Sequence, residues 1–203
     1  MKINKMLQAT NSSSRYGTAV KYIVIHYVGA VSSAKNNCIY FQGGNRQASA
    51  HFFVDGEIWQ STALSRSAWH CGGGLQDSGT AMTGGNCGAT LHNICMNRNS
   101  IGIELCCYKH NGRVVPTPEA INTAIPLVRW LMKKYGVPAS RVIRHFDVTG
   151  KCCPNGYTSK DAWAELHKTL TGSGSTEKSS PAYPTADLSK GNSGAQVKRL
   201  QKC

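Results

Sequence analysis

The sequence predicts an α/β domain with a central mixed β-sheet flanked by helices. Two observations carry this. Short β-branched apolar runs, KYIVIHY at Lys21–Tyr27 and SIGIELCCY from Ser100 to Tyr108, read as buried strands. Amphipathic stretches with cap residues lie between and after them, and strands joined by helical crossovers build such a sheet.

Taken in order, residues 1–19 are polar, with a turn-like Asn11–Ser14, and read as a surface segment leading into the first core strand at 20–26. Ser33 is placed to cap a short helix from Ala34 to about Phe41, which Gly43-Gly44 ends. HFFVD and EIWQS read as two strands joined at Asp55-Gly56, a strong hairpin signal. From His70 to Arg98 the chain is Gly-rich and without periodicity, as in a long functional loop. After the strand at 100–108, Asn111-Gly112 turns the chain. Thr117-Pro118 then starts a helix to about Tyr135, with Ile121, Ala124, Ile125, Val128, Leu131 and Met132 on one face. Pro126 conflicts with that helix and predicts a kink. Val142-Ile143 forms a brief strand, and Thr158 or Ser159 caps a last helix from Asp161 to Leu170. Residues 171–186, rich in Gly, Ser, Thr and Pro, read as a flexible linker.

Length and charge narrow the function classes. A chain of 203 residues holds one well-packed domain and a fragment of another. No apolar run approaches the roughly 20 residues of a spanning helix. The opening MKINKMLQATNSSS lacks the apolar core of a signal peptide, which predicts synthesis in the cytoplasm. The net charge is +13, and the excess is spread: residues 1–170 carry 18 basic and 8 acidic side chains, residues 171–203 carry 5 and 2. The plain reading of that excess is solubility, and the functional one is attraction to a polyanion. No nucleic-acid-binding signature accompanies the charge. Nine cysteines, an odd number, cannot all pair within the chain, and without an export signal reduced thiols are the default. Cys87 and Cys95 bracket a Gly- and Asn-rich loop near Cys71, where a bridge or second metal site is conceivable, although CxxC spacing is absent.

The chemistry concentrates at Arg144–Pro154, RHFDVTGKCCP. Imidazole and thiolate are the ligands zinc prefers, and a tetrahedral catalytic site takes three from the protein and keeps one position open. His145 lies eight residues before Cys153, too far for one helical face, so the two would meet through a loop. A third ligand must come from elsewhere, and His26, at the end of the first apolar strand, is the best placed. Cys152 is the rival of Cys153. Glu104 is a lone carboxylate in an apolar strand, costly to bury unless paired or wet. Asp147 is placed to orient a ligand through a hydrogen bond.

His26 after IVI, SAH at Ser49–His51, AWHCG at Ala68–Gly72, NSIGIEL at Asn99–Leu105 and RHFDVTGKCCP together resemble the zinc N-acetylmuramoyl-L-alanine amidases. This is the family shared by phage endolysins and peptidoglycan recognition proteins. The resemblance covers roughly residues 1–170, and its motifs stand in the family's order. It implies that fold, with Zn²⁺ held by His26, His145 and Cys153; the family spacing and the following proline favour Cys153 over Cys152. It further implies Glu104 as general base and Lys151, from a KxC pattern, as oxyanion stabiliser. Some relatives carry a tyrosine where Ala50 stands, which leaves the proton transfer to Glu104. His70 and Trp69 are expected to line the substrate groove, with His51 beside them or under the site.

The implied reaction is hydrolysis of the amide between the lactyl group of N-acetylmuramic acid and L-alanine in bacterial peptidoglycan. A phage or prophage endolysin, acting on the wall after release, fits that reaction. The alternative is a non-catalytic module that only binds muropeptides; such relatives typically lose the cysteine ligand, which this sequence keeps. After the linker, residues 187–203, LSKGNSGAQVKRLQKC with its preceding Asp187, resemble the incomplete start of a peptidoglycan-binding domain.

Overall fold

The computed structural model describes residues 1–76 and 88–172. The linker and C-terminal stretch expected beyond Gly172 lie outside the described residues, as does Cys87.

The first long apolar run forms β3 (Tyr22–Tyr27), and the second forms β7 (Ser100–Leu105). They pair in parallel, with His26 beside Glu104. The predicted hairpin forms as β4 (Phe52–Val54) and β5 (Ile58–Thr62), antiparallel and turning at Asp55–Glu57. A short strand, β10 (Val142–Arg144), joins β3 in parallel and carries the chain directly into His145.

The entry segment departs from expectation. Within the expected surface segment, residues Asn4–Gln8 form a strand, β1, parallel to β5 at the sheet edge. Lys5 and Leu7 face water, Met6 and the preceding Ile3 reach apolar clusters, and the buried Gln8 side chain donates to Thr62 Oγ1 at 2.9 Å. Ser12–Ser14 forms β2, which pairs with β6 (Arg66–Ala68) in a separate ribbon. The central sheet therefore has six strands in the order β1-β5-β4-β7-β3-β10, all neighbours parallel except β4 and β5.

The expected strand at 100–108 is interrupted. It ends at Leu105, where the Cys106 backbone turns to bond Val54 and Thr117. The chain then leaves the sheet as a hairpin of β8 (Cys107–His110) and β9 (Arg113–Pro116) around Asn111-Gly112.

The helices follow their caps. Ser33 Oγ accepts from the Asn36 amide at the start of α1 (Ala34–Gln42). Thr117 Oγ1 accepts from the Ala120 amide to start α2 (Pro118–Tyr135), and Gly136, at φ 64°, ends it. Each such cap stabilises a helix by about 1 kcal/mol. Pro126 sits on the exposed side of α2, and the helix continues through it. A short α3 (His145–Thr149) precedes the last helix, α4 (Lys160–Thr171), capped by Ser159 rather than Thr158.

Strand alternation decides what the sheet presents on each side. Ile23, Ile25, Ile101, Ile103 and Leu105 point to one side and pack against Ile121, Leu127, Val128 and Leu131 of α2 and Leu166 and Leu170 of α4. Tyr22, Val24 and His26 on β3, with Ser100, Gly102 and Glu104 on β7, therefore point to the other. The face away from the two long helices carries the titratable groups.

Candidate metal centre and active site

His26 and Glu104 are neighbours because β3 and β7 pair in register. His145 joins them because β10 lies beside β3, with Arg144 opposite Ile25, and ends one residue before it. The loop after α3 returns Cys153: its carbonyl accepts from the Phe146 amide at 2.9 Å, which ties the two ends of the RHFDVTGKCCP segment together.

The result is a tight group. One ligand atom from each of His26, His145 and Cys153 lies within 4.8 Å of the others, and all three residues are buried. His26 Nδ1 is 3.7 Å from Cys153 Sγ and 4.0 Å from Glu104 Oε1. His145 Nε2 and Glu104 Oε2 are buried with no hydrogen-bond partner. A buried polar atom left alone costs about 1–3 kcal/mol, so this group is arranged for something other than its own contacts. A metal ion can be held here, and this is the one such group among the described residues.

A family model described as N-acetylmuramoyl-L-alanine amidase matches residues 16–156 and spans every one of these side chains. The chain belongs to the N-acetylmuramoyl-L-alanine amidase family. It is 33% identical over 198 residues to the amidase XlyB of Bacillus subtilis (strain 168), covering 90% of this chain and 56% of that protein. It is 31% identical to CwlA of the same organism, over 80% of this chain and 55% of that one. The chain thus spans about half the length of the curated relatives it matches. Among solved structures, the PlyG catalytic domain aligns with 90% of this chain and all of its own, at TM-score 0.65 and 28% identity. PlyL aligns with 84% of this chain and 98% of its own, at TM-score 0.61 and 28% identity. The mixed α/β fold with a helix-flanked central sheet is therefore that of the endolysin catalytic domains.

Burial sets the proton states of this group. It lowers His26 well below the usual histidine value, helped by the neighbouring His145 ring, and it lowers His145 to about 3. It pushes the Cys153 thiol up, with Glu104 adding to the effect. Glu104 is pushed up to about 8 by burial, against the pull of Lys151. Lys151 itself is exposed, two residues before Cys153. Its positive charge lowers the values of His26, Glu104, His145 and Cys153 alike.

Cys152 faces elsewhere, its sulfur 3.8 Å from Asn155 Oδ1. Asp147 does not orient a ligand: it bonds the Arg144 amide at the start of α3 and pairs with the Arg144 guanidinium at 2.6 Å. Arg144 in turn donates to the Tyr157 and Thr158 carbonyls, so the pair braces the loop that carries Lys151 and Cys153.

Of the three residues expected to line a substrate groove, His51 and His70 are turned inward, and Trp69 lines a cavity. His51 is fully buried, its Nδ1 accepting from the Gly102 amide, so it presents no surface. His70 is buried and turns its ring inward to His26, at 3.0 Å. Trp69 donates its indole N–H to Ser13 Oγ and lines a cavity of about 330 Å³ with Cys71, Cys95, Arg98 and Val148. None of His26, Glu104, His145 or Cys153 lines that cavity. Cys71 and Cys95 are free thiols packed in one apolar cluster.

Gly102 is the sequence signal for this inward turn. A Cβ there would lie 2.5 Å from His70 Cγ and 2.7 Å from its Nδ1. Glycine inside a strand marks such close approach. Gly102→Ala is expected to destabilise the fold by about 1–3 kcal/mol through overpacking, read as a lower urea midpoint at unchanged m-value. An unshifted midpoint would mean the ring moves aside freely.

Proposed function

We propose that the chain is a zinc-dependent peptidoglycan hydrolase. It cuts the amide between the lactyl group of N-acetylmuramic acid and L-alanine, in the manner of an endolysin acting on the bacterial wall. The observation that carries this is the convergence of His26, His145 and Cys153 beside Glu104 in a member of this amidase family. Two imidazoles and a thiolate suit zinc, and three protein ligands leave a position open for substrate and water. The partnerless His145 Nε2 supports that fit.

A zinc ion held there supplies a Lewis acid for the scissile carbonyl and brings the pKa of a water to about 7. Glu104 takes the proton of the attacking water and returns it to the leaving amine. Without a metal, burial holds the Glu104 carboxyl up at about 8; a cation beside it would favour the carboxylate, the form that acts as a base near neutrality. Lys151 sets positive charge where the carbonyl oxygen becomes negative, and such charge is worth most in a dry site. No helix among the described residues is long and apolar enough to cross a membrane. The net charge of +13 favours attraction to an anionic wall.

Chelator treatment of the purified protein is expected to abolish lysis of isolated walls, and zinc to restore it. Lysis that survives full metal removal contradicts the reading.

Zinc affinity is expected to depend on pH. The two imidazoles are uncharged near neutrality and release no proton on binding. Cys153 holds its proton when metal-free and must release it. Below pH about 8, Glu104 also holds a proton that a nearby cation displaces. Affinity should therefore rise at least about tenfold per pH unit, measured by chelator competition between pH 6 and 7.5, whereas a flat profile would show that Cys153 is not a ligand.

A further inference from the structure

Resting on the reading that His26 holds the metal, we propose that His70 is a positioning residue. Braced by Ser100 and the Met96 carbonyl, it fixes the tautomer and ring orientation of His26.

With a single N–H on the His70 ring, the hydrogen bonds run in one direction. The Met96 carbonyl can only accept, so the Ser100 hydroxyl at 2.7 Å donates to it. With its hydrogen committed, Ser100 Oγ accepts from His70 Nε2 at 3.0 Å. With that N–H on Nε2, His70 Nδ1 is an acceptor. His26 Nε2, 3.0 Å away, therefore donates to it. This leaves His26 Nδ1 with a bare lone pair, and Nδ1 is the nitrogen that faces Cys153 Sγ and Glu104 Oε1.

His70 is itself held on three sides. Asn97 Oδ1 accepts from the His70 and Cys71 amides at 3.0 and 2.8 Å. The bare Cα of Gly102 lies beneath the ring. The two rings meet edge to face, with centroids 5.1 Å apart at 89°. A metal-bound histidine needs its second nitrogen oriented by a partner, and here a buried histidine, not a carboxylate, takes that role. A ring nitrogen orients His26 without adding negative charge to a site that already contains a thiol and a carboxyl group.

The test is a long-range proton–nitrogen correlation spectrum of the metal-free protein, with zinc affinity from chelator competition. In the unmutated protein His26 should carry its proton on Nε2, with Nδ1 bare. His70→Ala should mix the two tautomers and weaken zinc by about 10–100-fold, the usual effect of losing such a partner. His70→Asn, whose carboxamide oxygen replaces Nδ1 as acceptor, should restore the tautomer and most of the affinity; a merely space-filling role would give no such rescue. A proton on His26 Nδ1 in the unmutated protein overturns the proposal, and so does His70→Ala with unchanged tautomer and affinity. Should His70→Ala fail to fold, the unmutated spectrum and Ser100→Ala decide. A protein that takes up no zinc would sink the metal reading, yet the metal-free spectrum would still report on His26 and His70.

Discussion

Cys153→Ser is expected to lose bound zinc and all wall-lysing activity, while Cys152→Ser keeps both. The two thiols are adjacent in sequence and opposite in placement. Cys153 is 2% exposed, and its sulfur belongs to the group with His26 and His145. The Cys152 sulfur is turned to Asn155. A serine hydroxyl is a poor zinc ligand beside a thiolate, and losing a direct ligand should cost more than the 10–100-fold typical of an outer partner. Elemental analysis after gel filtration, with turbidity loss of purified walls, reads both variants. Exchanged outcomes would mean that the loop carries the other sulfur into the site.

Glu104→Gln is expected to lower turnover by about 10²–10⁴, the usual worth of a general base, while zinc is retained. Glutamine keeps the size and hydrogen-bonding reach of the side chain and removes its basicity. Muropeptide affinity should change little, because the carboxylate acts on the water and not on the bound substrate. Lys151→Ala should also slow turnover with zinc retained, through loss of the charge opposite the developing oxyanion. Equal activity in Glu104→Gln would keep the enzyme and remove Glu104 from its mechanism. A protein that binds muropeptide, and in which neither substitution alters any turnover because there is none, would be a recognition module.

Much of the site was legible because its residues sit at the ends of strongly patterned elements. IVIH and SIGIEL alternate between an apolar face and a face bearing His26 or Glu104, so a parallel pairing was enough to bring the two together. RHFDVTGKCCP concentrates two ligands in a segment that one backbone bond, Phe146 to Cys153, folds back on itself. What escaped depends on distant partners. The strand NKMLQ has too weak an alternation to declare itself, and only the edge of β5 makes it a strand. AWH and SAH read as groove-lining because histidine and tryptophan often meet ligands. The burial of the two histidines is decided by Gly102, whose missing side chain admits His70 and whose amide bonds His51. That glycine stands more than thirty residues from either, and its meaning appears only when the strands are assembled.

The measurement that bears most directly on the central claim is identification of the bond cut when the zinc-loaded protein digests purified peptidoglycan. Product analysis should show new free amino groups on L-alanine, matched by stem peptides freed from intact glycan strands, with no new reducing sugar ends. New reducing ends, new amino groups on any residue other than L-alanine, or no products from protein shown to contain zinc would contradict the account.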